Sequence, residues 1–264
     1  MDILLTLFSF DCLIKVILGF FIGLCLGLTG VGGGVLIIPI LQVVFGMPVV
    51  MAVGTASIIS SIVKANAGLS HIIAGNVEWR ALRWMLLGAV PATFITTEVI
   101  IELYKNPVTE QFVSQTIELA IITIMLLSLY SIYRKYKVAI GISSVRPHSN
   151  KMALSAGITC GTVLGSTGIG GGVMLLPAFN TLLGVSIKKS VGSSLVMALV
   201  LSSLTALIYS RSGQSDITTA FLMSLGAFIG VPVAMRVIKK LDDKNIYAIT
   251  VFIISISLLM IVTK

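Results

Sequence analysis

The stretch Gly27-Leu-Thr-Gly-Val-Gly-Gly-Gly-Val-Leu-Ile-Ile-Pro39 returns later in the same chain as Gly165-Ser-Thr-Gly-Ile-Gly-Gly-Gly-Val-Met-Leu-Leu-Pro177. The second copy begins 138 positions after the first, and the same offset aligns further pairs without a gap. These are Gly46 with Gly184, Val53-Gly54-Thr55 with Val191-Gly192-Ser193, Gly75 with Gly213, and Leu87-Gly88-Ala89 with Leu225-Gly226-Ala227. A fixed offset held over this length indicates an internal repeat. We therefore divide the chain into halves 1–138 and 139–264, joined by the polar stretch 134–151.

The composition indicates that this repeat lies in a membrane. Of the 264 residues, 56% are hydrophobic and 11% are charged, whereas about a quarter of an ordinary soluble domain is charged. The charges leave long apolar runs at 86–101, 117–132 and 246–262, which are typical of membrane-spanning helices. Strands of a membrane barrel would instead alternate polar and apolar residues. We predict an all-α integral membrane protein with a single transmembrane domain.

The net charge of +8 raises nucleic acid as a partner, but most basic residues stand at the ends of apolar segments, where they orient and anchor helices. We therefore expect contact with membrane lipid and not with nucleic acid. Cys12, Cys25 and Cys160 have spacings that match no metal site. The sequence also lacks a paired acid or a His-Glu-x-x-His cluster. We expect no catalytic residues, no metal and no cofactor.

Each half is interpreted as five helical segments, placed in the first half at 13–28, 35–46, 50–73, 80–101 and 112–134. At 1.5 Å per residue the first two are too short to cross a core of about 30 Å comfortably. This glycine-interrupted short helix pair therefore forms either a re-entrant hairpin or two tilted short spans, an even number of crossings in both cases. Three full spans make the count per half odd, so the sequence predicts two inverted repeats.

Charges at equivalent loops favour the same inversion. The turn with Arg80 and Arg83 is basic, whereas its counterpart carries Asp216 and only Arg211 as a nearby cation. The loop 102–110 is acidic, whereas its counterpart is basic through Arg236, Lys239, Lys240 and Lys244. Because cytoplasmic loops are rich in Lys and Arg, we place the central stretch 134–151 on the cytoplasmic side.

The glycine motifs are the candidate binding site. Glycines disfavour a helix, at about 1 kcal/mol each relative to alanine, and irregular backbone at membrane depth occurs only where it is packed in protein or lines an aqueous cavity. The apolar run after each motif begins a helix whose free N–H groups, with the helix dipole, suit a small anion. The predicted substrate-binding residues of the motifs are Thr29, Gly30, Gly32, Gly33, Gly34, Thr167, Gly168, Gly170, Gly171 and Gly172. The alternative is that these glycines only allow close helix packing.

Side chains outside the motifs are candidates for the same site. Thr55, Ser57, Ser193 and Ser194 face the glycine motifs from the next helix of each half in one interpretation, and in the other they bond to their own helix backbone. Lys64 lies within an apolar segment and is a candidate counter-charge for the substrate. The alternative for Lys64 is that it extends to the membrane surface.

Both motif copies resemble the glycine signature of the TauE/SafE sulfite exporter family, also called the toluene sulfonate uptake permease family. The resemblance extends to Val53-Gly54-Thr55-Ala56-Ser57, to Val191-Gly192-Ser193-Ser194, to the Gly75 and Gly213 turns and to the spacing 225–230. It implies the export or uptake of small sulfur-containing or organic anions across a bacterial cytoplasmic membrane. The first half departs from the pattern at Leu87-Gly-Ala-Val-Pro91, which lacks the glycine found at 230, so the helix that contains this stretch, at 80–101, is expected to pack or kink differently.

Together these observations favour a multi-pass secondary transporter, or permease, of the cell membrane that moves sulfite, sulfonates or related anions by alternating access. No ATP-binding motif occurs in the sequence, so a proton or sodium gradient is the expected energy source unless the protein is a uniporter. An anion channel and a non-transporting membrane subunit of a larger complex are the alternatives. The sequence also leaves open whether the chain forms a homo-oligomer.

Overall fold

The computed structural model describes residues 10–29, 34–137, 149–169, 174–238, 241 and 243–263, and every regular element in these residues is helical. The first half contains five helices: α1 (Phe10–Thr29), α2 (Gly34–Val43), α3 (Val49–Ile73), α4 (Trp79–Lys105) and α5 (Glu110–Lys137). The second half contains α6 (Asn150–Thr167), the π-helical segment Ala178–Leu182, α7 (Ile187–Arg211), α8 (Ile217–Ile238) and α9 (Asp243–Val262). The π-helical segment occupies the position that corresponds to α2.

Six of these helices are long and apolar enough to cross a membrane, by length and composition. The candidate spans are Asp11–Leu28, Val49–Ile73, Trp79–Lys105, Glu110–Tyr130, Ile187–Arg211 and Ile217–Val237. Gly34–Val43 and Ala248–Val262 are shorter apolar helices. The predicted all-α membrane fold is therefore confirmed. The observed helix ends of the first half fall within a few residues of the predicted ones.

The first helix is longer than predicted. α1 has 20 residues, which correspond to about 30 Å and suffice to span the hydrocarbon core. The apolar sequence continues upstream of residue 13, and Asp11 and Lys15 pair at 2.7 Å one turn apart, which extends the helix. The prediction that 13–28 is too short to span is wrong for this reason.

α2 is short, and it runs back toward the end of the molecule where α1 starts. Its 10 residues reach about 15 Å, half the thickness of the core. The Lys15 ammonium in α1 lies 5.8 Å from the ring of Phe45, just after α2. The chain after α2 thus returns toward the end where α1 starts. The pair is therefore one helix of spanning length followed by a short helix that returns, and this differs from both predicted arrangements.

The first helix of each half packs along the fourth helix of the other half. α1 lies parallel to α8, since Gly19, Gly23 and Gly27 face Met223, Ala227 and Val231 in order. α6 lies parallel to α4 in the same way, because Gly157, Gly161 and Gly165 face Met85, Ala89 and Thr93. Each contact in the first set has its counterpart in the second set at an offset of 138. Such exchanged pairs arise when two similar units are related by a two-fold axis.

Helix α3 and its repeat counterpart α7 pack against each other in the middle of the molecule. Gly54 faces Tyr209, Gly68 faces Val196, and Lys64 bonds to Ser202 between them. Residue numbers thus rise along α3 while those of its contact residues in α7 fall, so these repeat counterparts are antiparallel. Lys64 and Ser202 are themselves equivalent positions, because they differ by 138 in number.

The two halves differ where the glycine signature differs. A Cβ at Gly230 would lie 2.9 Å from the backbone nitrogen of Leu24 and would collide with the Phe20 carbonyl oxygen. Ala92, the equivalent residue of α4, already carries a Cβ. α8 therefore approaches α1 more closely at this point than α4 can approach α6.

Candidate functional site

The glycine motifs meet between the two halves. Gly30, Gly32, Gly33, Gly170, Gly171 and Gly172 lie outside the described residues, as does the side chain of Thr29. The described end of the first motif, Gly34, packs on the start of the second: a Cβ there would lie 2.7 Å from the Gly168 carbonyl oxygen and 2.9 Å from Cγ1 of Ile169. The sequence placed these motifs 138 residues apart, and the fold brings their ends into contact.

Thr167 and Gly168 close helix α6. Gly168 has φ of 65°, a left-handed conformation that favours glycine, and its N–H donates to the Leu164 carbonyl at 2.8 Å. The buried Thr167 hydroxyl donates to the Val163 carbonyl at 2.7 Å and accepts from the N–H of Ile169 at 3.2 Å. Both predicted residues thus lie at the motif and shape the turn that begins it.

Three hydroxyls that the sequence analysis did not single out hold the end of α6. Thr93 donates to the Gly161 carbonyl at 2.9 Å, and Thr97 donates to the Gly165 carbonyl at 3.2 Å. Tyr209 also donates to the Gly165 carbonyl, at 3.4 Å. The Gly165 carbonyl lies in the last turn of α6, where carbonyls lack partners within the helix, so Thr97 and Tyr209 fix the helix end. Thr93 joins α4 to α6 one turn earlier. The equivalent positions 231, 235 and 71 are Val, Met and His and offer no hydroxyl.

The hydroxyl of Ser57, in α3, lies beside the second glycine motif. A Cβ at Gly168 would lie 3.4 Å from its Oγ, and Ser57 donates to the Val53 carbonyl at 2.8 Å. Both interpretations of this residue therefore apply at once: it faces the motif and it bonds to its own helix. Ser194 donates to the Val191 carbonyl at 2.9 Å, within its own helix.

Thr55 joins the two halves at one end of the α3–α7 pair. Its hydroxyl donates to the Met51 carbonyl at 2.8 Å and accepts from the N–H of Asp216 at 2.9 Å. Gly54 makes room for this contact, because a Cβ there would collide with the Gln214 carbonyl oxygen. We call Gly54, Thr55, Gln214 and Asp216 the Thr55 latch.

Ser193 makes the equivalent contact at the other end. Its hydroxyl accepts from the N–H of Glu78 at 2.9 Å, and a Cβ at Gly192 would collide with the Asn76 carbonyl oxygen. We call Asn76, Glu78, Gly192 and Ser193 the Ser193 latch. The paired sequence motifs at 53–55 and 191–193 thus hold the loop of the opposite half, a contact that the sequence analysis did not foresee.

The two latches differ in charge. In the Ser193 latch the Glu78 carboxylate pairs with Lys189 at 2.8 Å. In the Thr55 latch the equivalent carboxylate, Asp216, instead accepts from the N–H and hydroxyl of Thr219 at 2.9 and 2.6 Å. The position equivalent to Lys189 is Met51, which carries no charge.

Lys64 lies between the latches. It is 8% exposed, and its ammonium donates to the Ser202 hydroxyl at 3.3 Å. Lys64 is nine residues beyond Thr55 in α3, and Ser202 is nine residues beyond Ser193 in α7, so each latch is about 13 Å from this contact along its helix. The side chain thus points into the α3–α7 interface and does not extend to the surface.

The charge of Lys64 is not balanced by a carboxylate in the described part of the chain. The ion pairs there join Lys15 with Asp11, Lys105 with Glu102, and Lys189 with Glu78. No group of three or more metal-ligating side chains occurs in these residues either. A buried cation normally has a partner of opposite charge, so the site has the electrostatics to hold an anion.

Comparison with known proteins extends over almost the whole chain. The family model described as "Sulfite exporter TauE/SafE" matches residues 15–261. No solved structure matches the chain.

The similar curated proteins are named as membrane transporters. "Probable membrane transporter protein YjnA" of Bacillus subtilis is 25% identical over 92% of this chain and 96% of its own length. A "Probable membrane transporter protein" of Haemophilus influenzae is 30% identical over 72% of this chain and 70% of its own length. "Probable membrane transporter protein MJ0441" of Methanocaldococcus jannaschii is 26% identical over 83% and 78%.

Proposed function

The chain belongs to the TauE/SafE sulfite exporter family and is a membrane transporter, and from this we propose that it is a secondary transporter of small sulfur-containing or organic anions. Sulfite and sulfonates are the leading substrates, and the bacterial cytoplasmic membrane is the proposed location. The protein is not an enzyme in this proposal, and it needs no cofactor.

The observation that carries the proposal is the buried charge of Lys64, with which no carboxylate of the described residues forms an ion pair. It lies at the crossing of two equivalent helices, on the side of α3 where Ser57 meets the second glycine motif. Transporters with internal repeats bind substrate near the membrane midplane, at the interface between the repeats. An anion bound there would neutralise Lys64 and reach the backbone N–H groups of the glycine motifs.

The latches support alternating access as the mechanism. They lie on opposite sides of Lys64, and each joins a helix of one half to a loop of the other. Opening one latch while the other stays closed would expose Lys64 to one side of the membrane only. The antiparallel course of α3 and α7 supports opposite orientations of the two halves, with the basic loops in the cytoplasm.

A proton or sodium gradient is the proposed energy source, with uniport as the alternative. A homo-oligomer is compatible with this mechanism, since each chain would contain its own pathway.

The test is uptake of radiolabelled sulfite, sulfoacetate, thiosulfate and sulfate into proteoliposomes, with and without an imposed pH gradient. We expect saturable uptake of at least one of these anions. The double variant Gly33→Val with Gly171→Val is expected to stay folded and to lose uptake, because the added side chains would fill the space in which the anion meets the backbone. Undiminished uptake by that variant would refute the assignment of the glycine motifs.

The two alternatives have distinct outcomes in the same preparation. An anion channel would give conductance that does not saturate with anion concentration. A subunit of a larger complex would give no flux alone, and a second protein would co-purify with it in a fixed ratio.

A further inference from the structure

Among the residues that the structure describes, two hydroxyls of the α3–α7 pair have no hydrogen-bond partner. Oγ of Ser60 and Oγ1 of Thr205 are buried, and their residues are 1% and 0% exposed. Serine and threonine in a helix usually donate to a carbonyl of the preceding turn. In α3 itself Thr55, Ser57 and Ser61 do so, so the behaviour of Ser60 is a departure within one helix.

Each of the two hydroxyls lies about one helical turn from a member of the Lys64–Ser202 contact. Ser60 precedes Lys64 by four residues in α3, and Thr205 follows Ser202 by three residues in α7, so each shares a helix face with a member of that contact. The helices are antiparallel, and the next contact along the pair is that of Gly54 with Tyr209. Ser60 and Thr205 therefore both fall in the segment between these two contacts, on the Thr55-latch side of Lys64.

Leaving a buried hydroxyl without a partner destabilises the folded state, as does a buried charge without a counter-ion. Here one ammonium and two unpartnered hydroxyls occur within about one turn of each other. All three groups can donate hydrogen bonds, and within the described residues no carboxylate pairs with the ammonium. The ligand that would satisfy them together is an anion with several acceptor oxygens.

We propose that Ser60 and Thr205 bind substrate together with Lys64 and Ser202, and that this cluster selects singly charged oxyanions over doubly charged ones of similar shape. A single ammonium compensates one negative charge, and the hydroxyls bind the remaining oxygens without adding charge. A second negative charge would stay uncompensated inside the protein, which is unfavourable. This inference rests on the proposed function and assigns specificity residues to it.

The experiment measures binding and stability in the same thermal unfolding assay, in detergent. The probes are methanesulfonate, which carries one charge, and sulfate, which carries two. The variants Ser60→Ala and Thr205→Val remove the unpartnered hydroxyls. The matched controls are Ser61→Ala and Thr162→Val, whose hydroxyls bond to their own helix.

We expect methanesulfonate to raise the unfolding midpoint of the wild type at concentrations at least tenfold lower than sulfate does. Ser60→Ala and Thr205→Val should weaken methanesulfonate binding about tenfold each. Without anion, both variants should unfold at the same temperature as the wild type or higher, because each removes a buried polar group without a partner. A residue with a purely structural role would give the opposite result, a lower midpoint and unchanged binding. The controls should bind as the wild type does.

Two results would overturn the inference, and they are distinguishable from each other. In the first, the wild type binds and takes up an anion, and Ser60→Ala and Thr205→Val bind it with the same affinity. This result would refute the cluster and leave the proposed function intact. No binding or uptake of any anion by the wild type would refute the proposed function as well.

Thr205→Ser restores the hydroxyl and should restore methanesulfonate binding. If Thr205→Val does not fold, Ser60→Ala and Thr205→Ser decide the question.

Discussion

At the scale of single residues, Lys64 is the charged side chain that lies buried among the described residues. Its ammonium is buried against one neutral hydroxyl, that of Ser202. A buried charge without a counter-ion destabilises a protein by several kcal/mol, roughly, unless a ligand or water compensates it. The proposed binding of an anion at Lys64 would supply this compensation.

We predict that Lys64→Met keeps the fold and weakens anion binding. A hydrogen bond to a charged group contributes about 1.5–3 kcal/mol, so the apparent KM for the transported anion should rise roughly 10- to 100-fold. The unfolding midpoint should stay equal or rise, because the unpaired charge is gone. Uptake kinetics and thermal unfolding measure the two effects. Lys105→Met, which removes only an exposed ion pair with Glu102, is the control, and an unchanged KM in Lys64→Met would contradict the prediction.

The residue scale also shows what the sequence could predict of the candidate site. The offset of 138 matched Thr55 with Ser193, yet it could not reveal that each bonds to a loop of the opposite half. Those partners, Asp216 and Glu78, are found only once the halves are packed together. The contact of Lys64 with Ser202 was not predictable from the repeat either, because the offset aligns these two positions without showing that they meet. The assignment of the motif glycines to substrate binding stays a prediction.

At the scale of helices, glycine spacing determines how closely neighbours pack. Gly157 and Gly161 in α6 touch the backbone of α4, and Gly19 and Gly23 in α1 touch that of α8. Glycines four residues apart are a known pattern of close helix contact in membranes. The helix ends were predictable from apolar runs and turn residues, whereas the exchange of α1 and α6 between the halves was not. Glycine spacing identifies a contact face but does not identify the partner helix.

We predict opposite effects for two glycine-to-alanine substitutions. A Cβ at Gly161 would lie 2.7 Å from the Cα of Ala89, so Gly161→Ala should lower the free energy of unfolding by about 1–3 kcal/mol. A Cβ at Gly68 meets nothing closer than 3.4 Å, so Gly68→Ala should leave stability unchanged or raise it by up to about 1 kcal/mol through helix propensity. Unfolding midpoints in detergent compare the pair. Equal shifts for both variants would show that backbone proximity does not control stability here.

At the scale of the whole molecule, the two latches are equivalent in position but unequal in charge. The ion pair of Glu78 with Lys189 closes one end, while the carboxylate at the other end, Asp216, stays within its own helix start. Exposed ion pairs contribute about 0–1 kcal/mol, so the two latches differ little in stability. The charge pattern of the loops predicted opposite orientations of the halves, but it could not predict this inequality, which depends on one lysine at 189.

We predict that cross-linking either latch stops transport. The pairs are Thr55→Cys with Asp216→Cys, and Ser193→Cys with Glu78→Cys, each in a chain whose Cys12, Cys25 and Cys160 are replaced by alanine. A short thiol cross-linker should abolish anion uptake in both double variants, and a reducible linker should allow its recovery on reduction. Single-cysteine variants treated with the same reagent are the controls. Transport that continues in a fully cross-linked protein would show that the ends need not separate, as in a channel.

The exchange of α1 and α6 between the halves also has a consequence for biosynthesis. The helix that α1 packs against, α8, is encoded roughly 200 residues downstream, and at about 5–20 residues per second its translation follows some 10–40 seconds later. During that interval the glycine face of α1 has no native neighbour in the bilayer. A nascent chain that stalls after its first half would expose this face. The element of that half that corresponds to α8 is α4, so α4 of a second stalled copy is the nearest equivalent of the missing neighbour.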